Sequence, residues 1–166
     1  MSMLRALLLV FATSLQPIPV WPQAPASPTE ASLRSAMLRY VAVWNSHDVA
    51  AWSALLTDDV WYTEAPDYYQ RSKGKPNVLA FHGDSVKTSD ILWDIKRIKI
   101  QADNTATVVL VHTANILPKT GEKYATSFIS DPAVSRWRLE GGQWKLHYFT
   151  SHKGMALDVM SKDGMN

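Results

Sequence analysis

The sequence predicts an α+β fold in which three helices pack on one strongly curved antiparallel sheet enclosing a cavity. Two observations carry that prediction. Leu33, Met37, Tyr40, Val41 and Trp44 recur at three- and four-residue spacing, the mark of an amphipathic helix. From Ser89 onward, four segments rich in Ile, Val, Thr, Trp and Tyr follow one another. Asn104, Lys119-Thr120-Gly121 and Gly141-Gly142 punctuate them as consecutive hairpins.

Met1 to about Ala26 is expected to be a secretory signal peptide. Arg5 supplies a basic start, Ala6 to Leu15 an apolar run, and Ala24-Pro25-Ala26 small residues for cleavage. That run falls short of the roughly 20 apolar residues a membrane span needs; an uncleaved anchor is the alternative. No membrane contact is expected after cleavage, and the expected location is secreted or periplasmic. Residues 27–154 then form one domain, and residues 155–166 a weakly patterned tail, either a short helix or disordered. The chain has no cysteine, which excludes disulfides, thiolate metal sites and a Cys nucleophile. With 17 Lys+Arg against 15 Asp+Glu and no basic stripe, nucleic acid is not an expected partner.

Five of the nine prolines fall between Gln16 and Pro28, an extended linker. Ser27 as N-cap, Pro28 at the first helical position and Glu30 form a capping box, so the first helix is expected from Pro28. Asp48 is the expected N-cap of a second helix running from Val49 to about Leu56. Asp59 to Ala65 alternates as a strand, with Val60, Tyr62 and Glu64 on one face and Trp61 and Thr63 on the other. A third helix is expected near Pro76, fading by Asp84. The later strands span about Ser89–Gln101, Ala106–Leu117, Lys123–Leu139 and Gln143–Ser151, with a bulge or edge position at Asp131-Pro132.

This order of elements, with RYVAVWNSHD and LLTDDVWYTEAP inside it, resembles the nuclear transport factor 2-like superfamily, which includes SnoaL-like polyketide cyclases and ketosteroid isomerases. The resemblance covers about Pro28 to Gly154 and implies a cone-shaped α+β barrel. It further implies that Tyr40 stands where the isomerases place an oxyanion-binding tyrosine, and Glu64 where they place the general base. Ser135 stands where they place a second donor, a neutral carboxylic acid. A serine cannot match a donor of that strength.

The candidate catalytic residues are therefore Glu64, Tyr40 and His112. Glu64 shares a strand face with Tyr62, where desolvation would raise its pKa and suit it to proton abstraction beside a carbonyl. His112 is in phase with Val108, Leu110 and Ala114; it reads as an acid or base, or equally as a hydrogen-bonded core histidine. Tyr62, Ser135, Trp137, His147 and Phe128 are the candidate ligand-binding residues, with Tyr148 a further shaper of the cavity. Trp61 and Trp93 are expected on the outer face of the sheet, where exposed aromatics suggest a homodimer. No phosphate-binding, dinucleotide or hydrolase motif occurs, so no cofactor is expected. The five histidines offer no chelating pair, so no metal is expected either.

Two functions fit. One is a cofactor-independent isomerase, cyclase or lyase acting by proton transfer on a small apolar carbonyl compound. The other is a non-catalytic module of the same fold that binds a small ligand or a partner.

Overall fold

The computed structural model describes residues 28–63, 72–118 and 126–165. The expected signal peptide, Ser27 and Glu64 lie outside these. In chain order the elements are α1 (Glu30–Asn45), α2 (Val49–Ser53), β1 (Leu56–Thr63), α3 (Lys75–Thr88), β2 (Ser89–Ile100), β3 (Thr105–Ile116), β4 (Ser127–Glu140), β5 (Gln143–Thr150) and α4 (Lys153–Lys162).

Helix α1 begins at Glu30, two residues later than the expected start at Pro28. Thr29, in an extended conformation, is the N-cap; its hydroxyl accepts from Ser32 N, and Ser32 Oγ accepts from Thr29 N. The helix buries Leu33, Met37, Tyr40 and Trp44, the stripe read from spacing. Asp48 caps α2, accepting from Ala51 N at 2.9 Å. Helix α2 stops at Ser53, and Leu56 already belongs to β1.

The five strands lie in the order β1-β5-β4-β3-β2. Strands β2 to β5 are successive antiparallel neighbours, as expected, although the expected Lys119-Thr120-Gly121 turn lies outside the described residues. Strand β1 corrects the all-antiparallel expectation, because it pairs parallel with β5. The physical reason is its connection: α3, rather than a hairpin, carries the chain from β1 to the opposite edge of the sheet. The sheet is curved without closing into a barrel. Register shifts between Ile95 and Arg97, between Leu110 and His112, and between Arg136 and Trp137 mark bulges, which bend strands and increase twist. The second of them is the bulge expected at Asp131-Pro132.

The concave face and α1 to α3 enclose the main core, built on Tyr40, Trp44, Trp52, Tyr62, Trp137 and Phe149. Trp93 belongs to this face, not to the outer one. It alternates with exposed Leu92 and stacks on Tyr40 at 4.7 Å. The convex face carries a second, smaller core. There the tail forms α4, whose Ala156, Val159 and Met160 cover Val109, Val134 and Tyr148, with Trp61 packed alongside. So the short helix, one of the two expectations for the tail, forms and packs on the sheet.

Asp163 pins the end of α4 to the sheet, accepting from Arg136 Nη2 at 2.7 Å and Thr107 Oγ1 at 2.6 Å. Burial opposes its charge, and the Arg136 and Thr107 donors overcome it, so its pKa lies below the ordinary 3.8. A depressed folded pKa gives stability that is complete above the unfolded value and lost as pH falls through the folded one. Asp163→Asn is expected to speed amide exchange in α4 at neutral pH by roughly tenfold. It should also remove the acid loosening of α4 below about pH 4. Unchanged exchange would mean that α4 is held by its apolar contacts alone.

Candidate functional site at the mouth of the cone

At the open end of the concave face, β2, β3 and β4 meet α1, α3 and the β5–α4 turn around a cavity of about 450 Å³. Its apolar walls are Trp44, Tyr62, Ile91, Ala114, Ile116 and Phe128. Its polar groups are four serines (85, 89, 130 and 151) with His112, His152 and Lys153. Three of the residues singled out in the sequence, Tyr62, His112 and Phe128, therefore meet here.

His112 is only 6% exposed. The Trp93 indole N–H donates to its Nδ1 at 2.9 Å, and Phe149 meets the ring edge-on at 5.1 Å. An indole nitrogen can only donate, so Nδ1 must accept, and the neutral ring carries its proton on Nε2. Burial pushes the His112 pKa down to about 4. At neutral pH it is thus an uncharged donor at Nε2, which suits it to polarise an oxygen rather than to remove a proton.

Tyr40 does not border the cavity. It is fully buried, stacked on Trp93, edge-on to Trp137 at 5.8 Å, and its hydroxyl has no partner in hydrogen-bond geometry among the described residues. Burial drives its pKa upward, with Trp52 and Tyr62 nearby opposing that shift. Ser135 and Trp137 also lie in the packed interior: the Trp137 indole N–H donates to Ser135 Oγ at 3.0 Å. Neither borders this cavity.

His147 and Tyr148 leave the cone altogether. Alternation puts Trp144, Leu146 and Tyr148 on one face, but the β4–β5 bulge falls at His147, so Leu146 points inward and Tyr148 outward. His147 joins an outer cluster with Thr57, Asp59 and Arg138. Burial works against the Asp59 charge, but Arg138 and Thr57 hold its carboxyl down at about 2. Burial lowers the His147 pKa, and Arg138 adds to that while Asp59 opposes it. This cluster edges a second cavity of about 710 Å³ between the convex face and α4. Among the described residues there is no group of three or more His, Cys, Asp or Glu that could hold a metal ion.

Sequence reasoning missed His82, His152 and Lys153. His82 shares the α3 stripe with Val78 and Val86, so its burial was legible from spacing. It packs against the Tyr62 ring at 4.4 Å, and burial lowers its pKa to about 4. His152 and Lys153 come from the turn that starts α4, where no periodic signal exists.

Residues 37–147 match the SnoaL-like domain family. The chain belongs to that family. Solved structures that share its fold are distant in sequence. A Xanthomonas campestris protein assigned as a calcium/calmodulin dependent protein kinase II association domain is 9% identical, with TM-score 0.61, covering 79% of this chain and 95% of its own. A protein from Novosphingobium aromaticivorans assigned as a scytalone dehydratase is 16% identical, with TM-score 0.60 and coverage of 72% and 80%. A ketosteroid isomerase-like protein from Erwinia carotovora atroseptica is 20% identical, with TM-score 0.57 and coverage of 72% and 92%. At these identities the likeness is one of nuclear transport factor 2-like fold. No curated protein matches the chain in sequence.

Both buried histidines should resist protonation. An unfolded chain takes up protons on them from about pH 6.5 downward, while the folded chain does so only near 4. Stability should fall through that window as pH drops, by up to about 1.4 kcal/mol per pH unit for each ring. An NMR titration checks this: His112 and His82 should remain neutral at pH 5.5. A midpoint near 6.5 for His112 would contradict the burial account.

Proposed function

We propose that this SnoaL-like domain is a cofactor-independent proton-transfer enzyme of isomerase, cyclase or lyase type, acting on a small hydrophobic carbonyl compound in the mouth cavity. The observation that carries the reading is a buried, neutral imidazole bordering a cavity of about 450 Å³ whose walls combine apolar side chains with a few polar groups. In this reading His112 donates its Nε2 proton to the carbonyl oxygen as charge develops there. Glu64, which stands where the resemblance implies the general base, removes the proton. Tyr40, fully buried and not bordering the cavity, does not act on the substrate directly.

Screening apolar ketones and enones for turnover, then comparing Glu64→Gln, tests the mechanism. The variant should keep its circular dichroism spectrum and lose about 10²- to 10⁴-fold in kcat. Full activity in that variant would overturn the role of Glu64.

The second reading, a non-catalytic binding module, is favoured by the filling of the deep cone with Trp93, Trp137 and Phe149. A ligand that co-purifies and is released unchanged would support it.

The homodimer reading rests on a row across the convex face and no longer on Trp61 and Trp93. Leu92, Thr113 and Ile129 are register neighbours on β2, β3 and β4, with Leu92 59% and Ile129 70% exposed. Light scattering should give a dimer for the wild type and a monomer for Ile129→Asp. A wild-type monomer at all concentrations would refute it.

A further inference from the structure

The mouth cavity has a polarity of its own. Both histidines that border it have Nδ1 occupied by a protein N–H: Trp93 Nε1 donates to His112 at 2.9 Å, and Met155 N to His152 at 3.4 Å. Each neutral ring therefore keeps its proton on Nε2 and offers a donor. His112 makes no other hydrogen bond among the described residues, although it is only 6% exposed. Lys153, the first residue of α4, borders the same cavity and makes no ion pair among the described residues. No described lining residue is a carboxylate.

We propose that this cavity recognises a small carboxylate-bearing molecule, its apolar body against Trp44, Ile91 and Phe128 and its acceptor oxygens toward the His112 Nε2–H and Lys153. The proposal rests on the reading of the cavity as the functional site, and it specifies the substrate class for that site. Trp93 is then a positioning residue. Its indole N–H holds His112 in the one tautomer that presents a donor to the ligand, and its ring, stacked on Tyr40 and Phe149, cannot turn away without unpacking the cone. A protonated Nδ1 would leave Nε2 an acceptor, and the cavity would then repel the same oxygen it attracts in this tautomer.

The probes are benzoate, acetophenone and benzylammonium, titrated into the full chain while the His112 ring nitrogens and the Phe128 ring are followed by NMR. His112 should show a pyrrole-type Nε2 and a pyridine-type Nδ1 before any probe is added. Benzoate should bind at least about tenfold tighter than benzylammonium, and Lys153→Glu, at an exposed position, should weaken benzoate about threefold. Trp93→Phe should give a mixture of His112 tautomers and reduce the preference for benzoate. Three results would overturn the proposal while leaving the site in place: a pyrrole-type Nδ1, benzylammonium binding as tightly as benzoate, or acetophenone binding with no preference for benzoate. If no probe moves His112 or Phe128, the cavity is not a ligand site, and the functional reading falls with this one.

Discussion

Trp93 stacks on both Tyr40 and Phe149, with centroids 4.7 and 5.7 Å away and planes inclined by 15° and 9°. Phe149 in turn stacks on Tyr62 at 4.7 Å, and Trp137 meets Tyr40 and Trp93 edge-on. This aromatic column ties α1, β1, β2, β4 and β5 together at the centre of the cone. Each such pair adds about 0.5–1.5 kcal/mol beyond simple burial. The column also decides where a ligand can go. It fills the deep cone beside the mouth cavity, and through the Trp93 N–H it sets the tautomer of the buried imidazole that borders that cavity.

Strand bulges are the second constraint. Each shifts the alternation by one residue, so side chains that look equivalent along a strand part company across it. On β5 the bulge at His147 sends Leu146 to the concave core and Tyr148 to the convex one. The same strand thereby serves both faces: Phe149 in the aromatic column, Tyr148 under α4. A sheet with unbroken alternation would have left α4 without its aromatic floor.

What was legible in the sequence was local. The α1 stripe, the Asp48 cap and the phase of Val108, Leu110 and His112 follow from nearest-neighbour spacing, and the structure places them accordingly. The parallel pairing of β1 with β5 was not legible, since it joins residues about 90 positions apart with no turn between them. The end of α3 was hidden because Asp84 and Ser85 interrupt its pattern, although Val86 continues the buried row to Thr88. The site divided in the same way. Tyr62, His112 and Phe128 reach the cavity because strand phase sufficed for them. Ser135 and Trp137 share the inner face but lie where the column leaves no room, and packing depth along a cone has no signature in alternation. His152 and Lys153 enter through a turn.

Function at this site requires that the mouth cavity take a ligand against His112. A crystal structure of the protein soaked with 4-bromobenzoate, its bromine located by anomalous scattering, tests that most directly. The ring is expected between Trp44 and Phe128, with a carboxylate oxygen within hydrogen-bond reach of His112 Nε2. Bromine density confined to the convex groove beside Trp61, or none in the concave face, would contradict it.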